Sequence, residues 1–133
     1  MNLYYRIKNI ILDAWYNLRV RCQRFKRGYA YGDVWGMDFW FVHTVKPMLT
    51  HLRDYGHSVP GEFANNHEGW SSILTEMIEC LNLMDEDSVY EHLGFDVVER
   101  ITADDYKQIA QIMQDNKDRF FELFSKYFYH LWD

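Results

Sequence analysis

Residues 2–27, NLYYRIKNIILDAWYNLRVRCQRFKR, carry the pattern that decides the fold class. Leu3, Ile7, Ile10, Ile11, Ala14, Leu18, Cys22 and Phe25 recur at spacings of three and four, which places them on one helix face. Gly28 follows directly and suits the residue just past a helix. Arg24, Lys26 and Arg27 fall in the last turn, where cations complement the carbonyl end of the helix dipole. The spacing predicts a long first helix with its apolar face in a core.

Working outward, Asp33 is a good N-cap for a second helix that runs to about Tyr55 and stops at Gly56. Val34, Asp38, Phe41, Val45, Met48, Leu52 and Tyr55 share its stripe, with Asp38 as a polar interruption. Pro47 lies inside this run, removes one amide donor and crowds the carbonyl of His43, so a kink or break is predicted there. Residues 56–68, GHSVPGEFANNHE, read as an ordered loop. A third helix over 68–84 would bury Trp70, Ile73, Leu74, Met77, Ile78, Leu81 and Met84. Ser88 and Glu91 have capping-box spacing for a short helix ending at Gly94. Thr102 and Asp105 head the last helix, whose apolar face comprises Tyr106, Ile109, Ala110, Met113, Phe120, Phe121, Phe124, Phe128 and Leu131, interrupted by Lys117. The prediction is one all-α domain over residues 1–133, a compact helical bundle of about four long helices and one short one.

Composition agrees. The 133 residues are 48% hydrophobic, 18% aromatic and 26% charged, values of a folded chain rather than a disordered or fibrous one. Two Pro and seven Gly are too few for the turns of a many-stranded β fold. Cys22 and Cys80 stand far apart, so no disulfide scaffold or cysteine-rich zinc site is indicated and a reducing compartment fits. No stretch reaches the roughly 18 apolar residues of a membrane span, and Arg6 and Lys8 interrupt any signal-peptide core, so no membrane partner is expected.

The net charge of −6 conceals a split. Residues 1–27 hold seven Lys or Arg against Asp13 alone, a net +6, whereas residues 28–133 hold seven basic and nineteen acidic residues, a net −12. Such asymmetry marks either a basic surface for phosphate or nucleic acid, or a basic helix packed across an acidic body.

The seam between the two signs is rich in functional side chains. Arg24 and Arg27 share a helix face and offer guanidinium forks for phosphate or carboxylate, with Trp35 and Trp40 close by in sequence as stacking surfaces. The same residues also suit a purely structural role, in which Arg24 or Arg27 pairs with Asp33 or Asp38 and clamps the turn. Both readings stand at this point. Arg53 and His57 border the following loop, and His57 is of the type that transfers protons near neutral pH. His51, His57 and His67 lack zinc-ligand spacing. Glu76 with Glu79, and Asp115 with Asp118, form i,i+3 pairs that would hold Mg²⁺ on a polyphosphate if the two helices packed face to face. These pairs faintly resemble the acidic pattern of the all-α nucleotide pyrophosphohydrolases, although that pattern has Glu at the place of Asp115 and a shorter gap. A solvated acidic face is the simpler account.

Several stretches taken in order resemble a family of small tailed-bacteriophage accessory proteins of unassigned function. They are Arg27-Gly28, Asp33-Val34-Trp35 with Asp38, Pro47-Met48-Leu49 with Leu52, Gly56-His57 with Pro60-Gly61, Glu68-Gly69-Trp70 with Ile73, Leu74 and Met77, and Leu123 to Phe128 with Leu131-Trp132. Such proteins often have Asn-Leu where this chain has Gly36-Met37. The resemblance implies an accessory protein of the host bacterial cytoplasm that acts stoichiometrically on a host system. The resulting expectation is a non-enzymatic binding protein, an inhibitor of antiviral defence that sequesters a nucleotide signal or blocks a host protein. Its site would comprise Arg24, Arg27, Asp33, Trp35, Asp38, Trp40, Arg53 and His57, with no cofactor. The rivals are Mg²⁺-dependent nucleotide hydrolysis at Glu76, Glu79, Asp115 and Asp118, and nucleic-acid binding by the basic first helix, which the acidic remainder disfavours. The aromatic content would also serve a homo-oligomer interface.

Overall fold

The computed structural model describes residues 3–95 and 101–133 and is all-α, with no strand among the described residues. Its elements are α1 (Leu3–Arg27), α2 (Met37–Tyr55), α3 (His67–Asn82), α4 (Glu86–Leu93) and α5 (Ala103–Tyr127). Short 3₁₀ turns lie at Tyr31–Val34, Gly61–Phe63 and Phe128–His130. The chain separates into two compact units, Met1–Trp40 and Phe41–Asp133, with the division just inside α2. The division nearly follows the charge: residues 1–40 carry a net +4 and residues 41–133 a net −10.

In the first unit α1 runs 25 residues and ends where Gly28 takes φ +81°, a conformation that favours glycine. Asn2, where the sequence pattern begins, lies outside the described residues. The apolar face of α1 is not core as its periodicity predicts. No α1 residue is buried, and Leu3, Ile7, Ile10, Ile11, Leu18 and Phe25 are all exposed. The residues after Gly28 fold back on the other side of the helix. There the Gln23 side chain accepts from the Tyr31 amide and the Gly32 backbone runs past the Tyr16 hydroxyl, while Arg24, on the flank, holds Asp33. Periodicity fixes which residues share a face, not whether anything covers it.

The second helix also differs from expectation. The Asp33 carboxylate accepts from the Ala30 amide inside the 3₁₀ turn instead of capping α2, which begins only at Met37. The helix runs through Pro47 without a break. A proline costs a helix one hydrogen bond, and here the packing of Leu49 and Val42 on either side of it holds the two halves in one element.

The core of the second unit is built by three helices. Val42 and Leu49 of α2, Trp70, Leu74, Met77, Ile78, Cys80 and Leu81 of α3, and Phe120, Leu123 and Tyr127 of α5 form its buried cluster. Phe120 is completely inaccessible and meets Phe41 edge to face at 5.9 Å. Phe63, Trp70 and Tyr127 form a second aromatic group, with Trp70 and Tyr127 at 5.3 Å. Leu123 and Tyr127 replace Tyr106 and Phe121 of the predicted α5 face, since the latter two are exposed. The N-cap of α3 is Asn66, whose side chain accepts from the Gly69 amide at 3.0 Å. Asp85, not Ser88, caps α4, three residues earlier than the expected box, and Gly94 closes that helix at φ +72°. The Thr102–Asp105 box forms as predicted, with reciprocal bonds of 3.2 and 2.8 Å.

Candidate functional site

Six of the eight candidate residues lie in the first unit, around the turn after α1. Arg24 donates to Asp33 through both edges of its fork, Nη2 to Oδ1 at 2.9 Å and Nε to Oδ2 at 3.3 Å. The Ala30 amide adds a 2.7 Å bond to the same carboxylate. The Arg24 guanidinium, helped by the Ala30 amide, holds the Asp33 carboxyl below the usual carboxylate range, and Asp33 raises Arg24 in return. Arg27 donates to the Tyr29 carbonyl at 3.2 Å and lies over the Tyr29 ring at 4.7 Å. Of the two sequence readings, the clamp is therefore the arrangement present.

Trp40 and Asp33 line a small recess of about 300 Å³ together with Tyr29, Val34 and Met37. Trp35 stands out, 80% exposed, with the Tyr31 ring edge-on at 6.4 Å. Asp38 occupies the first turn of α2, where a carboxylate suits the helix dipole, and is exposed.

Arg53 and His57 belong to the second unit. Arg53 donates to Asp54 at 2.8 Å and reaches the Thr75 hydroxyl at 3.5 Å. Bonding to Arg53 lowers the Asp54 pKa. The His57 amide donates to Asp133 Oδ1 at 2.6 Å, which depresses the Asp133 carboxyl, while the imidazole itself is almost fully exposed. The ring's Nδ1 stands 3.5 Å from Asp133 Oδ1, so its neighbour is a C-terminal surface carboxylate and none of the other candidate residues.

The four carboxylates of the Mg²⁺ alternative are not gathered. Glu76 accepts from Arg119 at 2.6 Å, Asp115 from Gln111 at 2.7 Å and Asp118 from Gln114 at 3.0 Å. Glu79 lines a separate polar recess with Asn82, Ser88, Glu91 and His92. Among the described residues no group of three or more His, Cys, Asp or Glu is placed to hold a metal ion.

A further concavity involves none of the eight. It is a groove of about 610 Å³ in the second unit, walled by Val45, Pro47, Met48, Leu49 and Leu52 of α2 and by Phe124, Phe128 and Leu131 at the end of α5, with His51 and Asp133 among its lining residues. Met48 and Phe128 are more than half exposed. In the sequence these residues read as core because their spacing is that of a core stripe. The available signal was the cluster Phe128, Tyr129, Leu131 and Trp132, more apolar surface than one helix end can bury. Among the described residues no helix is long and apolar enough to cross a membrane. Compared with protein-family models, curated proteins and solved structures, the chain finds no match.

Proposed function

We propose that the chain is a non-enzymatic binding protein that blocks a partner protein by taking one of its helices into the groove between α2 and the end of α5. The groove carries this reading: about 610 Å³ lies within the range of ligand sites, and its walls are almost wholly aliphatic and aromatic. Such walls suit the apolar side of an amphipathic helix and exclude a polyphosphate. The surrounding unit has a net charge of −10, so the matching helix is flanked by Lys or Arg. In the phage setting that the sequence resemblance implies, the partner is a protein of the bacterial host's antiviral defence, met in the cytoplasm.

Sequestration of a nucleotide has less behind it, because both arginines that would hold phosphate are occupied, Arg24 by Asp33 and Arg27 at Tyr29. The deciding experiment places a photo-crosslinking residue at Met48 and maps the attached peptide by mass spectrometry. Attachment to one basic amphipathic segment, lost in Phe128→Asp but kept in Trp35→Ala, is the expected result. Attachment that survives Phe128→Asp, or unaltered recovery of the uncrosslinked chain, overturns the groove. Depletion of free cyclic dinucleotide or ADP-ribose derivative, abolished in Trp35→Ala, would return the function to the first unit.

A further inference from the structure

We propose that α1 lies flat on an anionic lipid bilayer, with its apolar stripe in the interface and its cations on the headgroups. The stripe of Leu3, Ile7, Ile11, Leu18 and Phe25 runs the length of a 25-residue helix, about 37 Å at the usual rise. Its members are half to almost fully exposed, Phe25 at 93%. Tyr4 and Trp15, both exposed, sit along one edge, the position that amphipathic rings take at a membrane–water boundary. Helical spacing puts Lys8, Arg19 and Lys26 beyond that edge and Arg6 and Arg21 along the other. Two cationic rows beside an apolar stripe, on a helix of low mean hydropathy, are the pattern of an interfacial helix.

The turn after α1 sharpens the assignment. It engages Gln23 on the opposite side, so the stripe is left outward, and it commits Arg24, which shares the row of Arg6, to Asp33. The five remaining flanking cations have no acid near them in sequence other than Asp13. A second α1 would bring the same cations against themselves, so pairing of two copies through this face is electrostatically opposed. An acidic, flat surface at least as long as the helix satisfies both the charge and the apolar length. That no helix among the described residues is apolar enough to cross a membrane concerns spanning and leaves surface attachment open.

The test is co-sedimentation of the full chain with vesicles of phosphatidylglycerol and phosphatidylcholine, compared with phosphatidylcholine alone. Binding to the anionic vesicles only is expected, weakening about fivefold for each of Lys8, Arg19 and Lys26 changed to Gln. Ile11→Asp with Leu18→Asp should abolish it while the circular dichroism melt of the second unit is unchanged. Retention of binding by that double variant, equal binding to neutral vesicles, or no sedimentation overturns the proposal. So does a dimer, seen by analytical ultracentrifugation, that Leu18→Asp dissociates without any vesicle binding. Phe128→Asp should leave vesicle binding intact, which separates failure here from failure of the groove.

Discussion

Arg24 and Asp33 are joined by a two-point ion pair across nine residues, and this pair fixes the turn that leaves α1. The carboxylate is shared with the Ala30 amide, so one side chain both closes the 3₁₀ turn and ties it to the helix. Asp33→Asn keeps the shape and removes the charge. The Ala30 and Tyr31 amides should then lose protection in hydrogen exchange while the core amides of α3 keep theirs.

The same pair sets a pH dependence. The folded-state pKa of Asp33 is depressed, so its contribution is present above the ordinary Asp range and fades as pH falls through the lower folded value. Amide exchange of residues 30–34, compared at neutral and acid pH, should show the turn loosening on acidification in the wild type and no such change in Asp33→Asn.

Phe120 and Phe121 are neighbours with opposite fates, one sealed in the core and one 42% exposed. Phe120→Ala should cost about 3–5 kcal/mol and Phe121→Ala much less. Urea unfolding followed by circular dichroism checks both, and near-equal losses would mean that Phe121 is as deeply packed as Phe120.

The Thr102 cap is independent of the core. Thr102→Ala should destabilise the second unit by about 1 kcal/mol, read from the same unfolding curves. The Asp105 carboxyl is depressed by its bonds to Thr102, so the box holds above the ordinary Asp range and is lost as pH falls through the lowered value.

Cys22 is exposed and Cys80 is buried, and burial pushes the Cys80 thiol up. A maleimide should label the native chain once, at Cys22, and label Cys80 only on unfolding. Mass spectrometry of the tryptic peptides distinguishes the two.

Local punctuation in the sequence located most helix ends. Gly28, Gly94 and Thr102 do in the structure what their residue types predict, because caps and left-handed glycines act over a few bonds. Asp33 was misread for an equally local reason: two donors, the Ala30 amide and Arg24, compete for the carboxylate that α2 would have used. The exposure of α1, Met48 and Phe128 was not legible, whereas Phe124 does pack against the core as its spacing predicts. An apolar stripe looks the same whether another helix covers it or a groove is left open. Of the candidate site, the link between Arg24 and Asp33 was legible from charge and spacing, whereas the separation of Arg53 and His57 into the second unit was not.

The 2.6 Å bond from the His57 amide to Asp133 joins positions 76 residues apart. A contact of such long sequence separation closes a large loop at an entropic cost, so a φ-value near zero is expected for it. Its influence is therefore on time more than on pathway. Losing it in Asp133→Ala should quicken unfolding and leave the folding rate nearly untouched, making this pair a brake on the opening of the second unit.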